Sequence, residues 1–190
     1  MVHSIVLSLQ VQPTQGERIR RAFSSGFGGE LAMGLNLFQN QLIAEPLFGV
    51  AFFGNEPQQG FFDYLTLYEP GLRLRYAWEG ELFGEAVRFW PAVAAGYSYG
   101  VNNWEFESGF GVETLDVMRT RGIWYQIGAA ALWRNVRLAF GWRGTQASFQ
   151  MTDEYLRSAE LSYPGLRLEP VNQDLDLSRF VLQLGYQFNF

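Results

Sequence analysis

Few residues in this 190-residue chain can do covalent chemistry: it has one histidine, no cysteine and no lysine, and its fourteen positive charges are all arginine. Without cysteine there is no thiolate and no disulfide. Nucleophilic and general-base devices lean on histidine, and the single one, His3, stands near the start of the chain. No two acids are set apart as a pair with divided acid and base roles. What the residue types do support is ion pairing, because arginine keeps its charge nearly anywhere and holds a carboxylate through two parallel bonds. Glu30, Glu45, Glu69, Arg73, Arg75, Arg88, Arg137, Arg143 and Arg179 each sit within a stretch of small and apolar residues, so the elements that carry them decide what they meet. A net charge of −5 speaks against nucleic acid, which needs a basic field.

Those elements have a period of two. In FVLQLGYQFNF, residues 180–190, Phe180, Leu182, Leu184, Tyr186, Phe188 and Phe190 alternate with Val181, Gln183, Gly185, Gln187 and Asn189. This is the pattern of a strand with one apolar face. The same alternation starts at Ile5, Phe27, Leu42, Tyr64, Val87, Ile123 and Val136, which makes eight strands in one domain over residues 1–190. Along all eight the apolar face carries no charge. The glutamates and arginines named above share the other face with glycine, alanine, serine and glutamine.

Two kinds of barrel alternate in this way, a soluble one with its apolar face inward and a membrane one with that face outward. Eight ridges rich in Phe, Tyr, Trp and Leu would overfill an eight-stranded interior. A surface in water would also carry more than the roughly one charge per strand found on the polar face. The large residues must therefore face lipid, and the barrel must close, because an unpaired strand edge in hydrocarbon leaves its amides unsatisfied. A tilted strand crosses a bilayer in roughly 9–11 residues, and most of the ridges meet or exceed that length. Phe38, Trp78, Phe89 and Trp133 at one end, with Tyr64, Tyr97 and Tyr99 toward the other, fit the aromatic girdles of the two interfaces. The chain has no apolar run of about eighteen residues, so no transmembrane helix is expected. MVHSIVLSLQ lacks the basic start and small-residue cleavage site of a secretion signal.

Short and long connections alternate, and the usual asymmetry puts the short turns and both termini in the periplasm. Counting from the short turns places Glu30, Glu45, Arg73, Arg75, Arg88 and Arg143 at one depth, an expected charge network in the barrel interior. Its expected role is a paired polar plug; the alternative is an ion path that the excess of arginine would bias toward anions. NNWEFESGFGVETLDV reads as a hairpin tip, and TDEYLRSAELSYPGLRLEP as a second one turning at Tyr163-Pro164-Gly165. Together they would form one protruding four-stranded sheet. Arg119 and Arg121 fall on the lipid side just above the apolar band, where they would contact lipid headgroup phosphates. The acids Asp153 and Glu154, and Asp174 and Asp176, lack the spacing of a divalent-cation loop.

As a pattern over nearly its whole length, though not in residue identity, the chain resembles the small eight-stranded outer-membrane proteins of bacteria, the OmpA and OmpX type. The resemblance implies an all-β, up-and-down antiparallel transmembrane barrel with short periplasmic turns and long extracellular hairpin loops. It implies that the last strand, through Tyr186, Phe188 and Phe190, is read by the barrel assembly machinery. In the OmpX type a protruding sheet is an interaction surface, which implies an extracellular protein or other surface partner here. Small barrels that act as lipid A deacylases, palmitoyltransferases or proteases rely on a histidine paired with serine or an acid near the outer leaflet; His3, at the periplasmic end by this reading, does not match them. The expectation is a monomeric, non-enzymatic protein among outer-membrane lipids, with no cofactor, no metal and no nucleic-acid partner. Its expected role is structural or surface-interacting and adhesion-like; the alternative is a narrow channel for small solutes or ions.

Overall fold

A computed structural model describes residues 2–13, 25–38, 41–54, 61–82, 84–108, 111–162 and 172–189. Its strands are β1 (Val2–Pro13), β2 (Ser25–Phe38), β3 (Leu42–Gly54), β4 (Phe61–Tyr76), β5 (Trp78–Leu82), β6 (Glu85–Ser108), β7 (Gly111–Trp133), β8 (Val136–Met151), β9 (Asn172–Asp176) and β10 (Arg179–Asn189). One helix, α1 (Asp153–Ser162), follows β8. The ten strands make eight staves, because β4 and β5 run consecutively along β6, and β9 and β10 run consecutively along β8. Every neighbouring pair is antiparallel, and β10 closes the ring on β1 with Leu184 opposite Leu9. Within the closed ring no stave has a free edge, as hydrocarbon surroundings require; beyond it β4 outruns β3 and β7 outruns β8.

The alternation read from the sequence divides the wall into its two faces. In β1, Leu7, Leu9 and Val11 are exposed on the outside while Ser4, Val6, Ser8 and Gln10 are buried inside; in β10, Phe180, Leu182 and Leu184 are exposed while Val181, Gln183 and Gln187 are buried. No helix among the described residues is long and apolar enough to cross a membrane.

The inside is bulkier than the glycine-rich inner face suggests. Three layers fill it: Trp90, Ala130 and Leu132 toward the short turns; Val6, Ala32, Leu47, Ala94 and Trp124 in the middle; and Phe53, Leu65, Leu67, Phe149 and Leu177 toward the long connections. The small residues make room for the large ones. A Cβ on Gly71 or Gly96 would collide with the Trp124 ring, so these two glycines form the flat wall against which the indole lies.

The long connections differ from expectation in one respect. β6 and β7 do pair out to Ser108 and Gly111, but TDEYLRSAELS does not extend β8 as a hairpin; it forms α1. Thr152 caps the helix by accepting the Tyr155 N–H on Oγ1 at 3.2 Å. Asp153 and Glu154 occupy the first turn, where they suit the helix dipole. Local capping and good helix formers outweigh the strand pattern here. The Tyr163-Pro164-Gly165 turn lies outside the described residues. The sheet that reaches furthest is therefore β4–β6–β7, with Phe61 still opposite Phe106, and α1 beside it: Tyr155 meets Trp104 edge to face at 5.2 Å.

Candidate functional site

Inside the barrel the charged residues form an alternating ladder: Arg179, Glu69, Arg143, Glu30, Arg73, Glu45 and Arg75, with Arg137 as a branch on Glu45. Each side chain in it is at most 3 % exposed. Glu69 accepts from both Arg143 and Arg179, and Glu30 from Arg73, in close contacts. Glu45 Oε2 lies 3.2 Å from Arg73 Nη1 and 3.6 Å from Arg137 Nη1. The members come from β2, β3, β4, β8 and β10, so the ladder fastens opposite walls together.

Neutral groups complete the middle of the ladder. Gln10 and Gln183 donate to Glu30 Oε2 at 3.2 and 3.3 Å. Gln126 Oε1 accepts from Arg143 Nε at 2.9 Å and Nη2 at 2.6 Å, and Arg179 Nη1 donates to Thr145 Oγ1 at 3.0 Å. Inward rings take the guanidinium faces: Arg75 stands over Trp90 at 3.9 Å, Arg143 over Trp124 at 4.5 Å and Arg179 over Phe53 at 5.5 Å. Trp124 has a second task. The pairing of β4 with β6 is interrupted between Tyr68–Tyr99 and Gly71–Gly96, where Pro70 has no N–H to offer. The Trp124 indole N–H donates to the Tyr97 carbonyl there at 3.1 Å.

Of the six network residues read from the sequence, Glu30, Glu45, Arg73, Arg75 and Arg143 stand in the ladder, and Arg88 does not. Its side chain is 49 % exposed, and its Nε donates to Glu79 Oε1 at 2.9 Å. The reason is stagger. Ala77 donates its N–H to the Gln41 carbonyl at the β2–β3 turn, and β5 continues past that level to Leu82. The β5–β6 hairpin thus carries Arg88 beyond Trp90, which closes the inner face above it. Counting residues from each turn assumes level turns, and tilted staves do not supply them. The ladder also takes in Glu69, Arg137 and Arg179, whose inward parity was the only sequence signal for them.

The outward residues stand apart from this interior. Arg119 and Arg121 project from the outside of β7, and Arg119 donates through Nε and Nη2 to Asp116 Oδ2 at 3.2 and 3.1 Å. With Ser148 and Gln150 they line a cleft whose other side is Thr152, Asp153 and Glu154. Asp176 Oδ1 accepts the Ser178 N–H at 2.9 Å, and among the described residues no three His, Cys, Asp or Glu side chains gather as a metal site. At the short-turn end the Trp133 indole N–H holds the Glu85 carboxyl below the usual range, with Arg134 assisting. At the opposite mouth, burial pushes the Asp63 carboxyl up, against the Asn102 amide that donates to it at 2.6 Å. Tyr186 and Phe188 are exposed with ring centroids 4.8 Å apart, and Phe190 lies outside the described residues.

No protein-family model and no curated protein matches the sequence. Among solved structures the chain is similar to Ail, the attachment invasion locus protein of Yersinia pestis, in complex with the heparin analogue sucrose octasulfate. The identity is 13% and the TM-score 0.54, over 99% of this chain and 100% of that one. A structure of Ail without the analogue gives 12% and 0.52 with the same coverage. Neisserial surface protein A is 15% identical over 98% of this chain and 96% of that one, with a TM-score of 0.45. The likeness to Ail is one of fold: this chain is built as a small eight-stranded β-barrel of the bacterial outer-membrane kind.

Proposed function

We propose that the protein is a monomeric, non-enzymatic component of the bacterial outer membrane whose outward sheet and helix form a surface for another macromolecule. The observation that carries this reading is length. β6 and β7 run for 24 and 23 residues, about twice the roughly 9–11 that a tilted strand needs to cross. β7 pairs with β8 only as far as Met118, and Thr152 donates to the Asp116 and Val117 carbonyls beyond it, so among the described residues Gly111–Leu115 has β6 on one side and no strand on the other, with Val112, Glu113 and Thr114 exposed. Such an edge accepts an extended partner segment. The residues around it are mainly acidic, with Glu105, Glu113, Asp116, Asp153, Glu154 and Glu160 against Arg119, Arg121 and Arg157. A basic partner suits that surface better than a sulfated sugar of the kind that Ail holds in its complex.

On this reading both termini are periplasmic, Arg119 and Arg121 touch lipid phosphates, and Tyr186, Phe188 and Phe190 are the residues that the assembly machinery reads. The ladder serves as a plug rather than a path: Trp90, Trp124 and all its charges are buried and packed. Two measurements test the proposal. Cells displaying the protein should attach to immobilised basic proteins and lose that attachment when residues 104–115 are replaced by a two-residue turn, the barrel still migrating as a folded species. Equal attachment by both sinks the surface role. Steady conductance in planar bilayers, altered by Arg73→Gln, would support the channel instead.

A further inference from the structure

The ladder begins and ends on arginine, so its charges cannot balance. Arg73, Arg75, Arg137, Arg143 and Arg179 face only Glu30, Glu45 and Glu69, an excess of two positive charges inside the wall among the described residues. Buried charge without a counter-charge is costly, and the more so in low-dielectric surroundings. The excess is not spread evenly. At the Arg179 end the guanidinium has Glu69, Thr145 Oγ1 and, at 3.2 Å, the Leu177 carbonyl.

At the other end one carboxylate, Glu45, serves three guanidiniums. Arg75 Nε lies 2.9 Å from Glu45 Oε1, an ion-pair separation, but its N–H is turned away from that oxygen and forms no hydrogen bond. Among the described residues Arg75 Nη1 and Nη2 and Arg137 Nε and Nη1 form no hydrogen bond, Arg137 Nη1 standing 3.6 Å from Glu45 Oε2, although the two residues are only 1 % and 3 % exposed. Both guanidiniums stand over the same ring, Trp90, at 3.9 and 5.7 Å. A π face offsets part of a cation's charge, but it leaves the in-plane N–H groups unanswered. Among the described residues Ser4 Oγ, fully buried, also forms no hydrogen bond, and it shares the space beside Gly34 with Arg75: a Cβ on Gly34 would run into Ser4 Oγ and come within 3.5 Å of Arg75 Nη2.

We infer that Arg75 and Arg137, with the Ser4 hydroxyl, form a binding site for a small monovalent anion of the halide class, seated beside Trp90 at the short-turn end of the barrel interior. An anion supplies both things the site lacks, hydrogen-bond acceptance and negative charge. A water molecule supplies only the first. Ser4, Arg75, Arg137 and Trp90 are all buried, so the anion is a structural counter-ion of the plug and not cargo in transit.

The test is crystallographic. Crystals of the detergent-purified wild-type barrel grown in sodium bromide should give an anomalous peak within hydrogen-bond reach of Arg75 and Arg137, and the peak should vanish in Arg137→Gln. Bromide found only on exposed arginines such as Arg88 or Arg134, an adventitious ion only, overturns the proposal, as does non-anomalous water density between the two guanidiniums. Should Arg137→Gln fail to fold, the wild type still decides the matter in solution. Its urea midpoint should rise in chloride over gluconate at equal ionic strength, as a ligand that binds only the folded state requires. An unchanged midpoint also overturns it.

Discussion

Glu69 on β4 is ion-paired across the lumen with Arg179 on β10, 110 residues further along the chain. The same carboxylate also holds Arg143 on β8, the residue opposite Arg179, so one glutamate ties β4 to the β8–β10 pair, to which no backbone pairing joins it. The staves themselves are joined only to their neighbours, and cross-lumen ionic contacts of this kind add a second dimension to the wall.

Glu69→Gln should therefore lower stability strongly. It takes the Glu69 carboxylate from Arg179 and leaves Arg143 its longer contact with Glu30 at 3.5 Å. Breaking a buried pair from one side costs about 3–5 kcal/mol. Urea unfolding in lipid vesicles, followed by tryptophan fluorescence, measures the loss, and Glu69→Leu combined with Arg179→Leu should recover much of it. A wild-type midpoint for Glu69→Gln would mean that the pair does not hold the barrel.

Trp124 does two separable jobs, and two substitutions separate them. Trp124→Phe keeps a ring beneath Arg143 but removes the donor to the Tyr97 carbonyl, at about 1–3 kcal/mol for a buried acceptor left alone. Trp124→Ala empties the space against Gly71 and Gly96 as well, and about 3–5 kcal/mol is the expected loss. Equal midpoints for the two variants would show that the Tyr97 bond and the ring packing had been assigned the wrong weights.

The outward assignment of β10 predicts that Leu184→Arg blocks insertion. Leu184 is 56 % exposed on the outer wall, opposite Leu9 and Leu138. An arginine at the bilayer midplane costs about 2–4 kcal/mol, while Leu184→Ala keeps the face apolar. Band-shift electrophoresis after refolding into vesicles should give folded Leu184→Ala and unfolded Leu184→Arg; normal folding of the arginine variant contradicts the strand parity.

Asp63, at the far mouth, should titrate above an ordinary aspartate, because burial disfavours its charged form. The Asn102 amide opposes that shift, so Asn102→Ala should raise the value further. A raised native pKa means that the fold binds this proton more tightly than the unfolded chain does. The group thus contributes stability at low pH that is lost as pH rises through its native value. Carbon NMR of the side-chain carboxyl across the acid range checks the direction, and a lower value in Asn102→Ala rules out the amide's part.

The sequence by itself determined the architecture. A period of two in eight segments, with no charge on the apolar face, leaves a closed barrel with its large residues outward as the one arrangement that both fits the interior and satisfies the backbone in lipid. It also determined which charges point inward, because parity along a strand is a local property: Glu69, Arg137 and Arg179 were legible as inward even though the depth count left them out. Depth was not local. It depends on how far each stave slides past its neighbours: the continuation of β5 past the Gln41 turn moved Arg88 out of the interior, and the levels of β4 and β10 set Arg179 against Glu69. The helix at Asp153–Ser162 was open to a strand reading because a short alternating segment suits both states until the cap at Thr152 and the contact of Tyr155 with Trp104 decide between them. Only the tertiary structure fixed the order of the ladder, and with it the place where three arginines share one carboxylate.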